Sequence, residues 1–217
     1  MIQKASPRNI KNAASILKKG GVVGMPTETV YGLAANAFDR RAVAKVFKLK
    51  GRPGSDPLIV HISDHAQLED VADLSQLTAF EYQELLLLIK NFWPGPLTLV
   101  LPKLKQVPGV VTSGLKTVAV RMPKHNVARS LIRAAGVPLA APSANRFQSM
   151  SPTTARAVEK ELGQNLLILD GGPCRVGVES TVLHLGREVV ILRPGGVSRE
   201  NIEKVLNRKI PVIKAKQ

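Results

Sequence analysis

The chain has 217 residues, 44% hydrophobic and 22% charged, the size and balance of one folded domain and not of a disordered tail. Its single cysteine, Cys174, excludes an internal disulfide framework and a multi-cysteine zinc site. Lys and Arg number 31 against 16 Asp and Glu, giving a net charge of +15, and the stretch Leu85 to Val158 holds ten cations and no acid in 74 residues.

Ser6-Pro7 followed by Ile10, Ala13, Ala14 and Leu17, then Gly20-Gly21, predicts a capped helix with a glycine stop. Val22–Met25 is a short buried strand. Arg40–Leu49 is a second helix with Ala42, Val43, Val46 and Phe47 on one face. Pro57–Ile62 is β-rich, and helical patterns follow near His65–Ala72 and over Thr78–Phe92. Leu97–Leu101 and Thr117–Met122 are strands, Asn126–Ala135 is helical, Leu139–Ala141 is short and apolar, and Thr153–Leu162 is helical. Strands at Leu166–Leu169, Thr181–Leu185 and Val189–Leu192 precede a last helix, Ser198–Leu206. Interleaved strands and helices predict α/β layers around a mixed sheet. One domain over residues 1–208 is expected, with a loosely held basic tail over 209–217.

The longest apolar run, Leu85 to Ile89, is far below the roughly 20 residues of a membrane span. The first residues have no hydrophobic signal region. The expectation is a soluble, cytoplasmic protein with no membrane partner. The charge attracts polyanions, either nucleic acid or phosphorylated small molecules. Composition does not choose between them, and a general solubility role explains the charge as well.

Six segments carry polar chemistry, several of them tight turns at strand ends, where α/β sheets bind ligands. Pro26–Leu33 gathers two threonines, a carboxylate and a phenol, which suit either a polar pocket or a capped turn into a helix. Lys48–Pro53 closes the second helix on fixed cations, with Asp56 and His61 close behind. Arg121 interrupts an apolar strand, sharing a face with Thr117 and Ala119, and needs a carboxylate from a ligand or from the protein. Ala141–Asn145, Gly177–Val182 and Ile191–Gly196 are the other three. No GxxxxGK[ST], GxGxxG, HExxH or GxSxG occurs, so phosphate binding falls to separate basic residues, and no dedicated metal site is expected.

The segments PTETVYGL, KGRP…PLIVHI, PGPLTLVL, TVAVRMP, APSAN, SPTTA, GVESTV and ILRPGG, in this order from Pro26 to Gly196, resemble the YrdC-like family of threonylcarbamoyl-AMP synthases. The resemblance is to the synthase domain of the family's long, two-domain form. It implies a twisted α/β sheet with a concave basic face. It also implies synthesis of L-threonylcarbamoyl-AMP from L-threonine, bicarbonate or CO2, and ATP, with release of pyrophosphate. The product feeds threonylcarbamoyl modification of tRNA beside the anticodon, so the downstream transfer machinery is an implied partner. Carried over by motif, Lys50 and Arg52 are the catalytic cations. Arg52, Asp56, Thr117, Ser143, Asn145, Ser151 and Arg193 surround ATP. Thr29, His61, Arg121, Ala141 and Ser180 hold threonine. Mg2+ is expected with ATP. Two places depart from the pattern: Asp56 stands where the family often has asparagine, and Phe147-Gln148 follows Asn145 where a small Ser-Gly or Phe-Gly pair is commoner. A module of the same fold that binds tRNA or double-stranded RNA without synthase activity is the competing expectation, and a relative with lost or changed activity is the third.

Overall fold

Alternation of apolar residues along the strands decides the architecture. The computed structural model describes residues 1–213. Its elements are β1 (Ile2–Lys4), α1 (Pro7–Lys18), β2 (Val23–Met25), β3 (Gly32–Asn36), α2 (Arg40–Lys50), β4 (Ile59–His61), α3 (Ala79–Phe92), β5 (Leu97–Pro102), α4 (Gly109–Thr112), β6 (Thr117–Arg121), α5 (Asn126–Ala135), β7 (Leu139–Ala140), α6 (Ala155–Leu162), β8 (Leu167–Asp170), β9 (Thr181–His184), β10 (Val190–Arg193) and α7 (Arg199–Leu206). The strands form one mixed sheet in the order β1-β8-β2-β3-β7-β4-β6-β5-β9-β10. The pairs β1/β8, β2/β8, β4/β6 and β5/β9 are parallel, and the rest are antiparallel. The expected single α/β domain with a mixed sheet and flanking helices holds.

Successive strand residues point to opposite faces, and the core divides accordingly. Leu33, Val60, Leu99, Val118, Val120, Ile168 and Leu183 face a large core covered by α2, α3, α6 and α7. Val23, Met25, Ala34, Leu139, Leu167 and Leu169 face a smaller core closed by α1 and α5. That second core draws only on β2, β3, β7 and β8. On the other half of the same face, residues of β4, β5, β6, β9 and β10 line a cavity instead. One face of the sheet is thus covered throughout, and the opposite face is covered only in part.

Local chemistry fixes where the helices and turns begin and end. Ser6 caps α1 by accepting from the Asn9 amide at 3.2 Å, with Pro7 at the first position. Asp39 caps α2, which ends on Gly51 at φ 62°. The Thr78–Glu81 capping box opens α3. The Pro26–Leu33 segment does not enter a helix. Thr27 Oγ1 accepts from the amides of Thr29 and Val30, each at 3.2 Å, and donates to the Val30 carbonyl at 2.6 Å. This hydroxyl turn competes with helix formation, and the chain continues into β3.

Other expectations need correction. The helical pattern near His65–Ala72 is a single 3-10 turn, Ala66–Leu68, followed by another at Leu74–Gln76. β1, β3 and α4 are too short to give a readable period. Packed structure runs past Arg208: Ile210 is buried, and the Ile213 amide donates to the Ile191 carbonyl at 3.0 Å. Residues 214–217 of the expected tail lie outside the described residues. No helix among the described residues is long and apolar enough to cross a membrane.

Candidate active site

The cavity over the uncovered part of the sheet has a volume of about 420 Å³. Odd-numbered residues of β6 form its floor: Thr117, Ala119 and Arg121 line it, while Val118 and Val120 enter the core. The face predicted from alternation is the observed one. His61 comes from β4, with Ala141 and Ser143 just after β7. Ser180 precedes β9, and Arg193 ends β10. Apolar walls come from Leu58, Val100, Leu115, Val182 and Leu192.

Ten of the thirteen residues expected in the site line this cavity: Thr29, Arg52, Asp56, His61, Thr117, Arg121, Ala141, Ser143, Ser180 and Arg193. Lys50, Asn145 and Ser151 do not. Lys50 is buried beneath the Ser143–Asn145 loop, and its Nζ donates to the carbonyls of Ser143 and Asn145, the latter at 2.6 Å. Burial, aided by neighbouring Arg52, pulls its pKa down to about 8. Its geometry is that of a cation gripping a loop from below. Asn145 Nδ2 closes the same turn, donating to the Ser149 carbonyl at 2.6 Å. Gln148 in that turn adopts φ 67°, the left-handed conformation that glycine enters most readily. Ser151 Oγ donates to Glu179 Oε1 at 3.0 Å and so stands one residue behind the cavity wall.

Each cavity arginine has a protein carboxylate beside it. Arg121 is 3% exposed, and its Nη2 lies 2.7 Å from Glu28 Oε1. Its Nη1 donates to Thr29 Oγ1 at 2.8 Å and its Nε to the Gly95 carbonyl at 3.2 Å. Nη2 is close to Glu28 as a charge but has no aligned hydrogen-bond acceptor among the described residues. Arg52 Nη2 pairs with Asp56 Oδ2 at 2.8 Å. Arg193 pairs with Glu179 and also donates to the Ser180 carbonyl, from Nη2 at 2.9 Å. Glu28 and Glu179 were not assigned from the sequence. Their signal was only their place inside PTETVYGL and GVESTV, because their partners are far along the chain.

His61 is buried against Arg121, its partner in the β4/β6 register. Burial first, and then Arg121, push its pKa down to about 3, so the imidazole is neutral at physiological pH. Its Nδ1 has no hydrogen-bond partner among the described residues. Ser180 Oγ shares a 2.7 Å hydrogen bond with Thr98 Oγ1. Tyr31 turns away from the cavity, and its hydroxyl donates to the Gly172 carbonyl at 2.8 Å. Cys174 is not a thiolate: burial pushes its pKa up to about 11.

Backbone hydrogen bonds draw the strand-end segments together. The amide of Leu33 donates to the Pro142 carbonyl, and that of Ala144 to the Tyr31 carbonyl, each at 2.8 Å. Gly32 allows this approach, since a Cβ there would stand 3.2 Å from the Ala141 Cβ. Gly195 is more confined, because a Cβ would fall onto the backbone of Glu179, Ser180 and Thr181.

The threonylcarbamoyl-AMP synthase of Pyrococcus abyssi is 51% identical over 199 residues, covering 91% of this chain and 57% of that protein. The Bacillus subtilis protein of the same name is 50% identical over 200 residues, covering 91% and 56%. The crystal structure of P. abyssi Sua5 complexed with L-threonine superposes with a TM-score of 0.90 at 47% identity, over 97% of this chain and 61% of that one. The chain therefore spans little more than half the length of these curated relatives. The model of the Sua5/YciO/YrdC family, described as "Telomere recombination", matches residues 15–195. With the matched region holding every motif that the fold gathers round the cavity, the chain belongs to the Sua5/YciO/YrdC family.

Proposed function

We propose that the chain joins L-threonine, CO2 or bicarbonate, and ATP into L-threonylcarbamoyl-AMP, releasing pyrophosphate, for the threonylcarbamoyl modification of tRNA. The observation that carries this reading is Arg121, a buried guanidinium on the cavity wall. Of the five donors of an arginine, those of Nη2 lie 2.7 Å from Glu28 Oε1 but have no aligned acceptor among the described residues. Such a group suits a small carboxylate, and neutral His61 and Ser180 Oγ stand on the same wall to meet its polar substituents. The L-threonine named in the P. abyssi structure supports the same assignment.

The threonine amine attacks CO2 to give a carbamate. A carbamate oxygen then attacks the α-phosphorus of ATP, and pyrophosphate leaves. Both reactants of the second step are anionic, so the protein's part is to position them and balance charge. Arg52, Ser143, Thr117 and Arg193 surround the nucleotide in this reading, and the walls of Val100, Leu115, Val182 and Leu192 receive apolar surface of the base and ribose. Lys50 acts by fixing the Ser143–Asn145 loop under the phosphates. No protein nucleophile is needed, in keeping with the protonated Cys174.

Among the described residues, no group of three or more His, Cys, Asp or Glu forms a metal site. Mg2+ fits this cavity as a companion of the triphosphate, held by phosphate oxygens and water, with Glu179 a carboxylate on the wall. It would supply charge neutralisation. An open groove lined by Lys103, Lys105 and Lys116 meets the cavity at Leu115 and is where an RNA backbone would approach in this reading.

The test is pyrophosphate release from ATP that requires both threonine and bicarbonate. Its absence with folded protein sinks the synthase reading and leaves the RNA-binding module. Arg121→Ala should raise the threonine KM about 10- to 100-fold, the worth of a charge-assisted carboxylate contact. An unchanged KM removes Arg121 from the threonine site.

A further inference from the structure

The three carboxylates beside the cavity arginines are not equivalent. Glu28 is buried. Glu179 is partly buried and also takes the Ser151 hydroxyl. Asp56 has a side chain 44% exposed, and its carboxylate has Arg52 as its one side-chain partner among the described residues. The pair spans four residues in a loop that also contains Gly51 and Gly54. A Cβ at either glycine would meet nothing within 4 Å, so the loop has space around it.

Arg52 is turned back onto this loop. Its Nε donates to the Asp56 carbonyl at 3.3 Å and its Nη2 to the Pro57 carbonyl at 3.2 Å, while Asp56 Oδ2 lies 2.8 Å from Nη2. Yet the Arg52 side chain is only 16% exposed, and both residues line the cavity. One nitrogen of the guanidinium fork, whose geometry matches phosphate, is thus turned to a half-exposed carboxylate. A pair with one partner in solvent is weaker than a fully buried one, and a triphosphate carries more charge than the one carboxylate it would replace.

We infer that Asp56 competes with nucleotide phosphates for Arg52, so that ATP binds by exchanging one anion for another. Asp56 then sets the nucleotide affinity without contributing a bond to the nucleotide. Buried Glu28 does not exchange in this way and stays with Arg121. The inference rests on the synthase reading, since it takes ATP as the ligand.

Calorimetric titration with Mg2+ and ATP tests it. Asp56→Asn keeps the size of the side chain and removes the charge, and should tighten ATP binding about three- to tenfold. Asp56→Ser, which also removes the charge, should tighten it similarly and guards against a folding artefact of one substitution. Glu161→Gln removes a carboxylate that also acts on Lys50 but does not line the cavity, and should change affinity less than about twofold. Unchanged or weaker binding in both Asp56 variants overturns the competition. So does an equal gain in Glu161→Gln, which would mean a general field effect. No ATP binding by the wild type or any variant overturns the synthase reading itself, and this inference with it.

Discussion

Arg121 and Glu28 form a pair whose members are both nearly inaccessible, with side chains 4% and 7% exposed. A buried pair of this kind is weak evidence of net stabilisation, but breaking it leaves an uncompensated charge in the interior. Glu28→Gln should lower the unfolding free energy by about 3–5 kcal/mol, measured by urea denaturation. Glu28→Gln combined with Arg121→Met should recover much of that loss, while weakening the proposed threonine binding as Arg121→Ala does. If the single variant is no less stable than the double, the pair is not holding a charge in the interior. The sequence exposed half of this arrangement. Arg121 stood out as a cation in an apolar strand and called for a carboxylate, while Glu28, one polar residue among several in its turn, gave no sign of being the one that answers. Lys50 shows the converse. Its motif marks it as functional, but only the fold shows that its ammonium is spent on two loop carbonyls.

At the scale of elements, periodic segments and bounded apolar runs were legible, the short β2, β4 and β7 included, and short segments without such a run were not. α1, α2, α3, α5 and α7 carry caps and an apolar stripe, and each lies where the spacing placed it. β1 and β3 have three and five residues, and α4 has four, too few for a period to rise above the loops around them. The site depends on joins between elements more than on the elements. Gly195 is a tight join, because the chain leaving β10 lies directly against the turn that carries Glu179 and Ser180. Gly195→Ala should cost about 3 kcal/mol through overpacking against backbone, and thermal unfolding should show a lower Tm by several degrees. An unshifted Tm would show that this join yields. Gln148 in the left-handed region is the opposite case, a strained turn that the chain tolerates.

For the whole molecule, charge and pH follow from these placements. The cavity arginines are each balanced by a carboxylate, so the net +15 does not reside there. Of the ten cations between Leu85 and Val158, Arg121 is the only one in an ion pair among the described residues. Acid should weaken the fold through its buried histidines. The unfolded chain protonates His61 near its ordinary value of 6.5, but the folded one does so only at about 3. Burial lowers the pKa of His125 as well. Below about pH 6 the unfolded state therefore binds more protons, and stability falls with pH by up to about 1.4 kcal/mol per unit from His61. Urea unfolding at pH 7, 6 and 5 should show this loss, with a shallower slope for His61→Asn. A flat profile would place the imidazole in contact with water. The partial cover of the sheet has a further consequence for engineering. Along β6 the even residues answer to the core and the odd ones to the cavity. A combinatorial library at Thr117 and Ala119 would therefore vary substrate preference on a constant chassis, two degrees of freedom that most loop-built sites cannot separate from folding.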